Sequence, residues 1–114
     1  LSPIDLAEAY AGFAHGGVVC TPTAIDSVTT STGEKIAPTP ASCTQGVPTN
    51  VAATVDYALR GVLTGNGTAV AANPNDTVDK FAKTGTTDGD VQNWLVASTT
   101  KYTNATWIGN VQGH

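Results

Sequence analysis

The chain has 114 residues, which is enough for one small domain with its own core and too few for two. Its formal net charge of -4 and its isoelectric point of about 4.7 argue against nucleic acid or an anionic membrane surface as a partner. Only 12% of the residues are charged, and no apolar run is long enough to span a membrane, so we expect no direct membrane insertion by this segment.

The first segment, LSPIDLAEAYAGFAHGG, predicts a helix. Ser2 suits the N-cap, Pro3 suits the first helical position, and Asp5 stands where a capping-box acid belongs. The glycine pair Gly16 and Gly17 is expected to end the helix. The expected apolar face consists of Leu6, Ala9, Tyr10 and Phe13. Because the chain opens on Leu1 without a methionine, we expect it to be a piece of a longer protein.

The next stretch, VVCTPTAIDSVTTSTGEKIAP, predicts a β-hairpin whose turn is TSTGE and whose return begins at Lys35. The segment that follows, PTPASCTQGVPT, predicts a proline-rich loop, and Cys43 lies inside it. The strand-like positions before the turn are Val18, Cys20, Ile25 and Val28.

Cys20 and Cys43 are the two cysteines of the chain. They lack the paired spacing of a zinc site, and His15 and His114 are too scattered to complete one, so no metal is expected. A disulfide is the favoured role and would add about 3 kcal/mol of stability in the chain-entropy model. Two unpaired buried thiols are the alternative. A disulfide would place the domain outside the cytoplasm.

The segment TNVAATVDYALRGVLTGNG predicts a second helix, in which Asp56 and Arg60 form a favourable pair one turn apart. Gly65 and Gly67 are expected to stop it, and the polar stretch TAVAANPNDTVDK is expected to be irregular. The expected apolar face consists of Val51, Val55, Ala58, Leu59 and Val62.

Three strands are expected in the C-terminal part, at residues 81–83, 94–98 and 105–109, joined by short turns. Their apolar residues suit an antiparallel sheet covered on one face, with Trp94 and Trp107 as packing residues. The expected fold class is therefore α+β, with the antiparallel sheet packed against the helices.

The order of these segments resembles the closing portion of a class A penicillin-binding protein. That family shows a helix TP-x-x-L-A-x-A-Y-x-x-F-A-N-x-G, a helix leading to G-T-G-x-x-A, the strand A-G-K-T-G-T-T, and the strand pair W-F-V-G-Y…A-V-W-V-G. The matching segments here are LSPIDLAEAYAGFAHGGV, VAATVDYALRGVLTGNGTA and FAKTGTTDGDVQNWLVASTTKYTNATWIGN. The sequence departs from the pattern at His15, Asn66 and Ala82. The cysteine pair is similar to that of actinobacterial members.

This resemblance implies the C-terminal part of the transpeptidase fold shared with serine β-lactamases, with residues 1–114 as one segment of a single domain. It also implies roles for KTGTT. Lys83 would attract the terminal carboxylate of a stem peptide or a β-lactam, and the Thr84 and Thr86 hydroxyls would hydrogen-bond it. Gly85 would let substrate lie against the strand, and the Thr86 N–H would be an oxyanion donor. Lys83 and Thr86 are thus the expected catalytic residues.

The expected substrate-binding residues are Thr84, Gly85, Thr86 and Thr87. Thr87 is the weakest of these assignments, because Thr87 and Asp88 are more typical of a turn than of ligand contact. The tetrapeptide STTK, from Ser98 to Lys101, matches S-x-x-K literally. A nucleophilic serine of that motif begins a helix, whereas Ser98 is expected at a strand end, so we do not assign it the nucleophile.

The resemblance implies a DD-transpeptidase that cross-links peptidoglycan through an acyl-serine intermediate and is acylated by β-lactams. The nucleophile and the S-x-N loop would lie upstream of Leu1, so this chain would be inactive alone and its partner would be the upstream half of the same domain. No cofactor is implied. The parent protein would be anchored at the extracytoplasmic face of a bacterial membrane and would carry a glycosyltransferase domain. The alternatives are a D,D-carboxypeptidase or β-lactamase relative, and a non-catalytic structural or sensor module.

Overall fold

The computed structural model describes residues 1–112. Short 3-10 turns lie at Gly61–Leu63, Val70–Ala72 and Asp88–Asp90. The helices and strands, in chain order, are α1 (Pro3–Ala14), β1 (Val18–Cys20), β2 (Val28–Thr29), β3 (Lys35–Ile36), β4 (Cys43–Gln45), α2 (Thr49–Arg60), β5 (Lys80–Thr86), β6 (Gln92–Thr99) and β7 (Thr103–Gly109).

Helix α1 begins at the capping box that the sequence predicts. The Ser2 hydroxyl accepts from the Asp5 N–H at 3.3 Å, and the Asp5 carboxylate accepts from the Ser2 N–H at 3.1 Å. The helix ends before Gly16 and Gly17, whose φ angles of 64° and 88° lie in the left-handed region that glycine favours. Both ends of α1 are thus confirmed.

The expected apolar face of α1 was wrong at one position, because Ala9 is exposed and Gly12 is buried instead. A Cβ atom at Gly12 would lie only 2.8 Å from the Val19 side chain. The helix therefore packs closely on β1 at its glycine, which turns Ala9 toward solvent. A single helical stripe in the sequence does not reveal this contact.

The hairpin prediction is partly confirmed. Strands β2 and β3 pair antiparallel across the predicted turn, but β1 pairs with β4, which lies in the predicted loop, and Ile25 lies in no strand. Cys20 stands opposite Cys43 in the β1–β4 pair, so a long-range pairing overrides the proline-rich local composition. Residues 21–42, which form the excursion beyond this pair, are called the hairpin arm below.

Helix α2 ends at Arg60, and the 3-10 turn Gly61–Leu63 follows it directly, so the helical turns end two residues before Gly65. Two predicted positions of its apolar face were wrong: Val51 and Ala58 are exposed, while the small Ala52 is fully buried where α2 lies against α1 and β5. Residues 68–79 contain the 3-10 turn Val70–Ala72 and are otherwise irregular, as predicted.

The predicted pair of Asp56 and Arg60 is present, with 2.8 Å between Asp56 Oδ2 and Arg60 Nη2. Arg60 also pairs with Asp79, which immediately precedes β5. The hydrogen bonds that the guanidinium donates to Asp56 and then to Asp79 raise its pKa. This triad ties the end of α2 to the start of β5.

The sheet has the strand order β5-β6-β7, and both pairings are antiparallel. Helix α1 covers one face, while on the other face Leu63 and Ala69 form an apolar cluster with Ala82 of β5. Trp94 stands directly opposite Trp107, and their ring centroids are 6.5 Å apart, so both tryptophans pack on the sheet as predicted.

Strand β5 is longer than the sequence predicts, because its pairing with β6 runs from Lys80 opposite Thr99 to Thr86 opposite Asn93. The whole of KTGT therefore lies within a strand.

The α+β architecture is confirmed. No helix within residues 1–112 combines the length and apolarity that crossing a bilayer requires.

Candidate functional site at the free edge of strand β5

Strand β5 has one paired edge and one free edge among residues 1–112, because β6 is its only neighbour there. The Thr87 N–H donates to the Gln92 carbonyl at 3.0 Å, which fixes the direction of the neighbouring backbone groups. Since these groups alternate in direction along a strand, the backbone N–H and C=O of Thr84 and Thr86 point away from β6. The free edge thus presents the Thr86 N–H.

The Lys83 ammonium also lies at this edge. It donates to the Thr84 carbonyl oxygen at 2.6 Å, and that carbonyl points away from β6. Within the described part of the chain, Lys83 forms no ion pair, whereas Lys80 on the same strand is paired with Asp76. Lys83 is therefore available to an incoming anion.

The side chains around the free edge leave β5 on two faces. Lys83 and Gly85 lie opposite Val96 and Trp94 on the face that α1 covers. Thr84 lies on the other face, where its hydroxyl oxygen is 2.7 Å from the Thr68 hydroxyl oxygen. A ligand that contacts both Lys83 and Thr84 must consequently lie along the edge of the strand.

A groove of about 400 Å³ opens beside this edge, between α1 and the start of β6. A Cβ atom at Gly85 would lie 3.4 Å from the Trp94 Cβ and would project into the groove. Burial on the helical side raises the pKa of the Tyr10 hydroxyl. The lining side chains are mostly apolar: Leu1, Leu6, Tyr10, Lys83, Thr84, Gln92, Trp94 and Val96.

Thr86 and Thr87 differ in what their hydroxyls contact. Thr86 is exposed and its hydroxyl has no hydrogen-bond partner in residues 1–112. The Thr87 hydroxyl accepts from the Gln92 N–H at 3.1 Å and so closes the turn between β5 and β6. This contact is the one expected of a turn former, and a substrate-binding role for Thr87 stays a prediction.

The Cys20–Cys43 disulfide is confirmed, with an S–S distance of 2.07 Å. It lies at the base of the hairpin arm, away from the free edge of β5. Among residues 1–112 no cluster of His, Cys, Asp and Glu side chains is suited to a metal ion, and His114 lies outside the described residues.

Ser98 of the STTK tetrapeptide lies within β6 and is 1% exposed. Its hydroxyl accepts from the Thr103 hydroxyl at 3.1 Å. The residue begins no helix, as predicted, and a buried strand hydroxyl is not placed to attack a ligand at the free edge.

Thr68 lies beside the site, and the sequence analysis assigned it no role. It belongs to the loop between Leu63 and Val70, and its contact with Thr84 brings a second hydroxyl to β5. The only local signal was its place in GNGTA, where the G-T-G-x-x-A pattern is expected.

The family model described as the penicillin binding protein transpeptidase domain matches residues 1–112. Among solved structures, penicillin-binding protein PonA1 from Mycobacterium tuberculosis is similar, with a TM-score of 0.84 and 29% identity over 97% of this chain and 30% of that one. The D,D-transpeptidase domain of a peptidoglycan glycosyltransferase from Eggerthella lenta is also similar, with a TM-score of 0.83 and 28% identity over 97% of this chain and 28% of that one.

An imipenem acyl-enzyme complex of penicillin-binding protein A from M. tuberculosis has a TM-score of 0.79 at 24% identity, which shows the fold alone. It covers 100% of this chain and 27% of that one, so the chain spans less than a third of each of these structures. No curated protein sequence matches the chain.

Proposed function

The chain belongs to the penicillin-binding protein transpeptidase family, and we propose that residues 1–114 are the C-terminal segment of a single DD-transpeptidase domain. The domain cross-links peptidoglycan stem peptides and is acylated by β-lactams. The segment contributes the substrate-holding strand. The attacking serine belongs to the upstream half of the domain, which is the segment's partner.

The observation that carries this proposal is the free edge of β5. An extended peptide laid along it can accept a hydrogen bond from the Thr86 N–H while its terminal carboxylate meets the Lys83 ammonium and the Thr84 hydroxyl. These contacts hold the peptide as an added strand. Gly85 leaves the space that a side chain would take.

The chemistry assigned to this edge is orientation and charge stabilisation. When the serine oxygen attacks the carbonyl carbon, negative charge develops on the carbonyl oxygen, and the Thr86 N–H donates to it. The carbon–nitrogen bond then breaks, and the leaving nitrogen takes up the proton that the serine has lost. Lys83 keeps the substrate in place throughout by its charge.

The disulfide supports a location outside the cytoplasm, since such bonds persist in oxidising compartments. We accordingly place the segment at the extracytoplasmic face of a bacterial membrane, with the anchor and a glycosyltransferase domain elsewhere in the parent protein. The Eggerthella lenta structure comes from a protein named as a peptidoglycan glycosyltransferase, which fits this arrangement.

The test is Lys83→Ala in a domain that contains both the upstream half and this chain. The rate of labelling by a fluorescent penicillin should fall by roughly 10- to 100-fold, since a hydrogen bond to a charged group contributes about 1.5–3 kcal/mol. Lys101→Ala is the matched control, because it removes the same charge from an exposed turn. Equal labelling of the wild type and Lys83→Ala would rule out the role of Lys83.

The fate of the label separates the transpeptidase from its relatives. A transpeptidase keeps the acyl group for long periods and passes a stem peptide to an amine acceptor. Rapid release of hydrolysed penicillin would indicate a β-lactamase, hydrolysis of the stem peptide without transfer would indicate a carboxypeptidase, and no labelling of the wild type would indicate a non-catalytic module.

A further inference from the structure

Thr68 forms the only side-chain hydrogen bond that the Thr84 hydroxyl makes in residues 1–112. The two hydroxyl oxygens are 2.7 Å apart, which is a normal distance for a hydrogen bond between hydroxyls. Thr84 belongs to β5, whereas Thr68 belongs to the loop between the 3-10 turns at Gly61–Leu63 and Val70–Ala72. The contact therefore joins two separate elements at the edge where substrate is proposed to lie.

The loop that carries Thr68 is held firmly on both sides of that residue. A Cβ atom at Gly67 would lie 2.3 Å from the carbonyl oxygens of Gly61 and Val62, so the backbone there packs directly on the preceding turn. The Ala69 N–H donates to the Val62 carbonyl at 2.9 Å, and Ala69 is 5% exposed in the apolar cluster. Thr68 therefore lies between two residues, Gly67 and Ala69, that are both packed against the core.

We infer that Thr68 is a positioning residue for Thr84, an inference that rests on the proposed function. Each hydroxyl has one proton to donate. If the Thr84 proton is donated to a substrate carboxylate, the Thr84 oxygen is left to accept from Thr68. The order of donation is then Thr68 to Thr84 to the carboxylate. Successive hydrogen bonds of this kind strengthen each other, and the charged acceptor makes the terminal one strong.

The consequence is selectivity for ligands that carry a carboxylate at this position. Without Thr68, the Thr84 hydroxyl rotates freely and must be ordered by the ligand itself. Ligand affinity should therefore fall, while the rate at which bound ligand acylates the serine should change little, because Thr84 contacts the carboxylate and not the reacting carbon.

The experiment uses the complete domain and measures acylation by a fluorescent penicillin, separating the binding constant from the acylation rate of bound ligand. Thr68→Val should weaken binding by about tenfold, and Thr68→Ser should restore it, since serine keeps the hydroxyl. Thr64→Val is the matched control: Thr64 lies in the same region, and its hydroxyl contacts the Arg60 carbonyl. Should the valine variant not fold, Thr68→Ala is measured in the same way with the same expected loss.

Two further measurements distinguish the positioning of Thr84 from a purely structural role of Thr68. In a Thr84→Val background, Thr68→Val should cause no further loss. With a penicillin whose carboxylate is esterified, wild type and Thr68→Val should bind equally. The inference is overturned if Thr68→Val binds penicillin as well as the wild type does. It is also overturned if Thr68→Val weakens binding as much in the Thr84→Val background as in the wild type. In either case, the proposed function still stands as long as the wild type is acylated. A wild type that is not acylated overturns both.

Discussion

Gly67 and Gly61 lie close together after α2 but differ in what surrounds them. A methyl group at Gly67 would collide with two backbone carbonyls, whereas a methyl group at Gly61 would meet nothing within 4 Å. Gly61 also has ordinary helical angles of -59° and -20°. The two glycines therefore differ in how they tolerate a side chain.

We expect Gly67→Ala to destabilise the domain by about 1–3 kcal/mol, as overpacking does. Gly61→Ala is the matched variant, and it should be neutral or stabilising by up to about 1 kcal/mol, because it restricts the unfolded chain. Urea unfolding of both variants measures the difference. A Gly67→Ala variant as stable as the wild type would show that the loop that carries Thr68 does not pack on the preceding turn as described.

Gly85 lies on β5 where substrate is proposed to approach the strand. Because an alanine methyl there would lie 3.4 Å from the Trp94 Cβ, the fold should tolerate Gly85→Ala with a small loss of stability. The methyl group would occupy the space against which substrate is proposed to lie, so penicillin labelling should fall at least tenfold, which corresponds to about 1.4 kcal/mol. Loss of stability without loss of labelling would argue against a substrate-facing Gly85.

Helix α1 owes its start to a pH-sensitive contact. Hydrogen bonds from the Ser2 side chain and then the Ser2 backbone lower the pKa of Asp5 below its usual 3.8. Since the folded value is lower than the unfolded one, the stabilisation is fully present above the unfolded pKa and is lost as the pH falls through the folded value. Stability should thus decline as the pH drops below about 4.

Ser2→Ala should lower the stability at neutral pH and flatten this part of the pH profile, because the alanine side chain cannot hold the carboxylate in its ionised form. Circular dichroism during thermal unfolding at a series of pH values measures both effects. An unchanged profile in Ser2→Ala would assign the acid sensitivity to other groups, such as Asp76, whose pKa is lowered chiefly by Lys80.

At the scale of elements, local signals sufficed for the two ends of α1 and for the turn between β2 and β3, because caps and turn residues act within a few positions. They did not suffice for β4, whose partner β1 lies far away in sequence and whose own composition favours a loop. The motif KTGTT was identifiable from its resemblance to a known family. The free edge and the contact with Thr68 depend on register and loop packing, which no single segment encodes.

The disulfide should contribute about 3 kcal/mol, since it closes a loop between residues 23 apart in sequence. We expect the double variant Cys20→Ser with Cys43→Ser to be less stable by this order in urea unfolding. Penicillin labelling of the folded variant should be unaffected, because the bond lies away from β5. A variant that folds normally but labels slowly would link the disulfide to the site.

For the molecule as a whole, the radius of gyration of 17.2 Å exceeds the value of about 13 Å for a compact domain of this size. Large apolar side chains remain exposed, among them Tyr57 at 81% and Ile108 at 71%. Apolar surface of this extent is typical of a protein that packs against further chain.

Residues 1–114 expressed alone should accordingly bind a dye for apolar surface and should not label with fluorescent penicillin. Supplying the upstream half should reduce dye binding and create the labelling. Labelling of the isolated chain at Ser98 would contradict both the burial of that serine and the assignment of the nucleophile to the upstream half.

The hairpin arm shows a different consequence of the disulfide. Because the bond closes the base of residues 21–42, we expect a change of length or sequence beyond it to leave α1 and α2 undisturbed. Nearly all of the arm is exposed. The arm is therefore the natural place for evolution to vary this domain, and for an engineer to insert an epitope or a fluorophore without disturbing the strand that is proposed to hold substrate.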